Sequence, residues 1–273
     1  MNIGRSVLLV AFAAGVLALE WRRRARRPVE PWPAHTARNL VFAGLAAATV
    51  RLVETPLVLP AASFVDRHRW GLTGVFDGPP WLRAIVAVAL MDYTLYVWHI
   101  ATHRVPLLWR FHLVHHTDRD LDATTALRFH AGELALSVPW RLAQIVLIGV
   151  TPDVLVGWQA LTLASILFHH SNTRLPPRVE RVLQHLVVTP QMHAIHHSVD
   201  DGQRDSNFSS GLALWDHAHR TFRVDAAADA VTIGVPGYGD AADATLPRAL
   251  LLPFRRGRRT PASRCAPSRA RLP

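Results

Sequence analysis

Lysine is missing altogether: all 30 basic residues of this 273-residue chain are arginine, an absence we attribute to genome composition rather than to function. Cysteine occurs once, at Cys265. An intramolecular disulfide framework, an iron–sulfur cluster and thiolate-ligated haem are therefore excluded. Charge is scarce too, at 18% of residues against 50% hydrophobic ones, and the mean hydropathy is +0.14. That balance is unusual for a soluble domain and brings a membrane protein forward. A net charge of +10 would suit a nucleic-acid binder if the arginines formed a patch on a folded face. Instead, thirteen of the 30 stand in two segments flanking apolar sequence, five in residues 22–27 and eight in residues 248–271. Juxtamembrane placement accounts for them, and nucleic acid is set aside as a partner.

The apolar runs supply the architecture. Residues 3–19 are apolar and the arginines of 22–27 follow them, the reverse of a cleavable signal peptide, so an uncleaved transmembrane helix with its C-terminal end in the cytoplasm is expected. A second run, residues 40–59, is interrupted by Arg51, Glu54 and Pro56, with an Arg51–Glu54 pair one turn apart to make the charges tolerable. Residues 82–100 reach the roughly 20 residues that a spanning helix needs. Residues 134–150 and 154–168 form a hairpin around Thr151-Pro152-Asp153, either spanning or re-entrant. The expected fold is all-α: a polytopic membrane helical bundle with a histidine-rich helical cap. Its expected divisions are 1–80 (N-terminal transmembrane helices and linker), 81–223 (catalytic domain) and 224–273 (a polar, disordered Arg/Pro-rich tail).

Orientation follows without any motif. If residues 22–27 are cytoplasmic, alternate crossings bring His99, His103, His169 and His170 back to that same face. On the third run Asp92, Tyr96, His99 and His103 are spaced to fall in one helical stripe. His112, His115 and His116 form an HxxHH group, and His193, His196 and His197 repeat it. With His170, these make nine imidazoles in four clusters. Four ligands satisfy one tetrahedral zinc, so nine point to two metals sharing a site. Imidazole suits iron, copper or zinc, and no H-E-x-x-H motif marks a zinc protease. His35, His68 and His185 stand alone and are expected at the surface or an interface. His217 and His219 read as loop residues.

The segment from Asp92 to Phe222 resembles the fatty acid hydroxylase/sterol desaturase superfamily of membrane di-iron oxygenases. The resemblance is carried, in order, by D-x-x-x-Y-x-x-H-x-x-x-H-R from Asp92, L-W-R-F-H-x-x-H-H from Leu108 and R-F-H-x-x-E from Arg128. H-S-N from His170, T-P-x-M-H-x-I-H-H-S from Thr189, N-F at Asn207 and W-D at Trp215 follow. It implies metal ligation by His99, His103, His112, His115, His116, His170, His193, His196 and His197. Asp92, Tyr96, His130, Glu133, His169, Asn172, Asn207 and Asp216 are candidates to orient those ligands by hydrogen bonding. Members often continue Trp-Asp into Leu-Phe-Gly-Thr, whereas here His217, Ala218, His219, Arg220 and Thr221 follow, and Ser209 stands where a glycine is usual.

The implied activity is an oxidoreductase: two iron ions, with zinc as a substitute, use O₂ to hydroxylate or desaturate a fatty acyl, sterol-like or other apolar C–H bond. The chain carries no G-x-G-x-x-G, cysteine cluster or H-P-G-G motif, so electrons are expected from an external ferredoxin, rubredoxin or cytochrome with its reductase. The expected location is a bacterial inner membrane, with the site on the cytoplasmic face. Two competing readings are a zinc-loaded membrane hydrolase or lyase, and a non-enzymatic metal-binding membrane protein with ligands lining a path across the bilayer.

Overall fold

The computed structural model describes residues 3–75 and 77–255. Those residues are all-α, with isolated antiparallel bridges and no sheet among them. The long helices are α1 (Ile3–Arg22), α2 (Trp32–Thr49), α3 (Thr55–His68), a short α4 (Leu72–Val75) and α5 (Pro80–Arg104). They continue with α6 (Pro106–His116), α7 (Ala131–Ile148) and α8 (Pro152–His170). The cap contains α9 (Pro177–Leu183), α10 (Pro190–His196), α11 (Asp201–Arg204), α12 (Leu214–His219) and α13 (Leu246–Leu251). Among the described residues three segments are long and apolar enough to cross a membrane: Trp32–Val75, Pro80–Arg104 and Ala131–Ile148. The chain is an integral membrane protein, and the core of its bundle packs α3, α5, α7 and α8 through Val58, Ala62, Met91, Ile145 and Leu155.

Proline sets most of the helix starts that matter. Pro80, Pro106, Pro152 and Pro190 each stand in the first turn, where a missing N–H costs nothing. Pro106 also forces the residue before it out of the helical region. Val105 is extended (φ −89°, ψ 116°), so α5 stops at Arg104 and α6 turns back across it. Thr151 and Thr189 then cap α8 and α10 by accepting from the N–H of Val154 and Met192.

Three expectations are corrected. The second run is not closed by an Arg51–Glu54 pair. A π-helical turn at Val50–Glu54 joins α2 to α3, just ahead of Pro56, which cannot bond the carbonyl four residues back. It turns the buried Glu54 toward Arg141 (3.9 Å) on α7 and Gln159 (3.3 Å) on α8, leaving Arg51 exposed. His35 is not a surface residue: it is 1% exposed and lies 2.8 Å from Asp118 and 3.4 Å from Asp122. Residues 224–255 are not a disordered tail. Val231 and Ile233 pack on Leu121 and Ile195, and Val199 N–H donates to the Thr232 carbonyl at 2.9 Å. Alternating apolar residues buried in an Ala/Asp/Gly-rich stretch supply that packing, which an average composition conceals. The rest of the tail expectation, residues 256–273, and Cys265 lie outside the described residues.

Candidate metal centre

Two turns of α5 carry His99 and His103, and the Val105–Pro106 break folds α6 so that His112 and His116 face them. α10 brings His196 to the same point. The ligating-type nitrogens of these five imidazoles lie within 4.8 Å of one another. The remaining four, His115, His170, His193 and His197, form a second group on the same criterion. Eight of the nine are buried, and His103 is half-buried. All lie at one end of the bundle, where α5 and α8 finish, rather than along a path through it. The arginine segment sits at that end too: Ala25 N–H donates to the Asn172 carbonyl (2.9 Å) and Arg174 N–H to that of Arg23 (2.7 Å).

Hydrogen bonding at the outer nitrogen orients several rings. Nδ1 of His99 donates to the Phe208 carbonyl (2.7 Å) and that of His196 to the Ser206 carbonyl (2.8 Å). His112 Nδ1 bonds Glu133 at 2.8 Å, and His170 Nδ1 the Ile166 carbonyl at 2.7 Å. With Nδ1 carrying the proton, each Nε2 is left as a lone pair. In the second group His170 Nε2 is 3.0 Å from His115 Nε2 and 2.9 Å from His193 Nε2, which is 3.1 Å from His197 Nε2.

The residues present fit a bound cation at each group. In the first group the buried Nε2 atoms of His103, His112, His116 and His196 have no hydrogen-bond partner, and in the second the Nε2 atoms of His115, His170, His193 and His197 meet one another. Orphaned buried polar atoms are costly, and neighbouring lone pairs repel unless a cation lies between them. The second group's Nε2 atoms, about 3 Å apart, are close enough for one cation with metal–nitrogen bonds of about 2.1 Å to reach. Burial, reinforced by the neighbouring imidazoles, pushes His115, His116, His193, His196 and His197 well below the usual histidine pKa. They are thus held neutral, the form a metal requires.

The candidate orienting residues divide. Glu133 reaches His112 directly, and His169 packs against His193 (ring centroids 4.1 Å apart) and His170 (4.7 Å). Asp216 acts at one remove. It accepts from the N–H of Phe208 (2.8 Å) and Ser209 (3.0 Å), fixing the carbonyl that His99 uses. Asn207, in the left-handed region at φ 52°, stitches the same loop to Met192 and Arg223. Tyr96 bonds Thr221 (3.1 Å), one step from Asp216. The other three do not hydrogen-bond the cluster. Asp92 holds Leu212 and Trp215, His130 caps α7 through the Gly132 N–H, and Asn172 pins Arg26. Asp92 and Asn172 find those partners more than a hundred residues away in sequence, which their place beside a motif does not reveal.

Sequence reasoning missed Asp118. Fully buried, it bonds His35, Asn39 and Thr125 and ties α2 to the loop after α6. Burial alone would raise its carboxyl, but the hydrogen bond and charge of His35, together with Arg128, hold it well below the usual carboxylate range. An acid two residues past HxxHH was its only signal. The carbonyl acceptors of Ile166, Ser206 and Phe208 left none, because every residue has a carbonyl.

Residues 84–221, half of the chain, match the family described as fatty acid hydroxylase. The chain belongs to that family. Among curated relatives of the family it is similar to ornithine lipid hydroxylase OlsE of Rhizobium tropici, 27% identical over 58% of this chain and 47% of that protein. It is also similar to human alkylglycerol monooxygenase, 26% identical over 55% of this chain and 32% of the relative. Human cholesterol 25-hydroxylase is 24% identical over 51% and 50%. The chain thus matches between a third and a half of the length of these relatives. No solved structure matches it.

Proposed function

We propose that this protein is a membrane di-iron oxygenase that uses O₂ and two external electrons to hydroxylate or desaturate a C–H bond of a membrane lipid. In the hydroxylation balance, substrate R–H, O₂, two electrons and two protons yield R–OH and water. The observation that carries the reading is the sorting of nine imidazoles into a group of five and a group of four, with unpartnered Nε2 atoms in the first and Nε2 atoms 2.9 to 3.1 Å apart in the second. Family membership supports it, and the three named relatives are all oxygen-inserting lipid enzymes by name.

Two iron ions, when bound, supply the O₂ activation. The residues supply the rest. His99, His103, His112, His116 and His196 would hold one ion, and His115, His170, His193 and His197 the other. Glu133 and the carbonyls of Phe208, Ser206 and Ile166 keep the rings in the ligating tautomer. Burial excludes water, which protects reactive species from quenching. Electrons come from a separate ferredoxin, rubredoxin or cytochrome with its reductase. The arginines of residues 22–27, at the same end as the imidazoles, support a site on the cytoplasmic face.

Purified protein should contain iron with a di-iron spectroscopic signature and consume O₂ only when reductant and lipid are supplied. His115→Ala and His196→Ala, one from each group, should abolish the oxidised lipid while the fold persists. Unchanged products in folded variants would overturn the reading, and a zinc-only enzyme with no O₂ uptake would replace it.

A further inference from the structure

Beside the metal centre, between α5 and α8, runs a groove of 700 Å³ that the chemistry above does not use. Its walls are apolar, among them Val88, Val154 and Leu161, and Gly157 leaves its middle open, with no atom within 4 Å of where a Cβ would stand. The rim residues Ile85 and Leu161 are 58% and 62% exposed, and Ile85 stands on α5, long and apolar enough to cross a membrane, where such exposure is to hydrocarbon. Along α8 the lining from Asp153 to Ser165 covers about 18 Å at 1.5 Å per residue, close to one leaflet of a hydrocarbon core of about 30 Å. At the inner end stands Asp92, 8% exposed. Its Oδ2 takes both the Leu212 N–H (3.0 Å) and the Trp215 indole N–H (2.7 Å), which leaves Oδ1 to the groove. Gly211 makes room for it, since a Cβ there would come within 2.2 Å of that oxygen.

We propose that this groove seats the hydrocarbon chain of a membrane lipid, and that Asp92 Oδ1 accepts a hydrogen bond from a hydroxyl or amide N–H where chain meets head group. The inference rests on the oxygenase reading and names its substrate class. A carboxylate oxygen in a membrane helix is costly without a donor, and a purely apolar ligand would leave it bare. The groove also fixes direction. It runs from Asp92 toward Ala84 and Asp153, whereas His99 lies about 10 Å the other way along α5. The methyl end therefore points away from the imidazoles, and the oxidised carbon lies near the polar end.

Photo-crosslinking of the full chain in nanodiscs tests this without turnover, so its failure is separate from failure of the oxygenase reading. The probes carry a diazirine near the methyl end: palmitoyl monoacylglycerol (hydroxyl donors), N-methyl palmitamide (amide N–H only) and methyl palmitate (no donor). The expected label falls on α5 and α8 around residues 84–88 and 153–161, stronger for a donor-bearing probe than for the ester by about tenfold. Whichever donor labels better identifies the head-group chemistry. Asp92→Asn, which presents an amide N–H in place of the free oxygen, should erase that preference. Gly157→Phe should abolish labelling by all three while metal content stays unchanged. Label beside His99 or Phe208, equal labelling by the ester, or labelling that survives Gly157→Phe would overturn the proposal.

Discussion

At the scale of single residues the candidate metal centre is a problem in tautomers. An imidazole is fixed in one ligating tautomer when its other nitrogen has an acceptor for its proton. Among the cluster residues, His112 alone uses a side chain for this, Glu133 at 2.8 Å, whereas His99, His170 and His196 use backbone carbonyls. That makes Glu133 the one support that mutation can remove cleanly. Glu133→Ala should weaken metal retention by about 10–100-fold, read by competition with a chelator. Glu133→Gln keeps an acceptor oxygen and should recover most of it.

At the scale of elements, two junctions place the groups. The extended Val105 before Pro106 folds α6 against α5, and Asp118 ties the loop after α6 to α2 through His35 and Asn39. Removing one member of a fully buried charged network strands the others, so Asp118→Ala should cost about 3–5 kcal/mol, seen as a lower midpoint in thermal unfolding. The pH dependence has a definite sign. The folded pKa of Asp118 is depressed, so its contribution is fully present above the unfolded value of about 3.9 and is lost only as pH falls through the folded value. The stability gap between Asp118→Ala and the parent should therefore narrow as pH is taken below about 3.9. Arg220 marks another junction: at φ 60° it closes α12 in the left-handed region.

Across the whole molecule, the membrane helices and the cap are joined by the segment that follows Val224. Ser198 pairs with Ile233 in an antiparallel bridge, and Gly234 N–H donates to the His197 carbonyl at 3.0 Å. α10 is thus clamped from behind at the point where it presents three imidazoles. Ile233→Ala opens space against Leu121 and Ile195, and should cost about 2 kcal/mol or more. Because the loss falls on the clamp, calorimetry should show lower stability together with reduced metal occupancy. A purely peripheral segment would change neither.

What the sequence determined by itself is what local periodicity and covalent chemistry control. One cysteine ruled out thiolate chemistry, and proline positions marked the starts of α5, α6, α8 and α10. Spacings of three and four put histidines on common helical faces. Which imidazoles share a group was decided by the tertiary structure alone. His115 and His116 are adjacent, yet they point about 100° apart on a helix. His116 joins His99, His103, His112 and His196, while His115 joins His170, His193 and His197. The same division separates His196 from His193 and His197. No spacing in the chain encodes it, because it depends on how α6 and α10 are rolled against α5 and α8. The packing of residues 224–255 and the burial of His35 were likewise settled by partners distant in sequence, since burial is a property of what covers a residue and not of the residue itself.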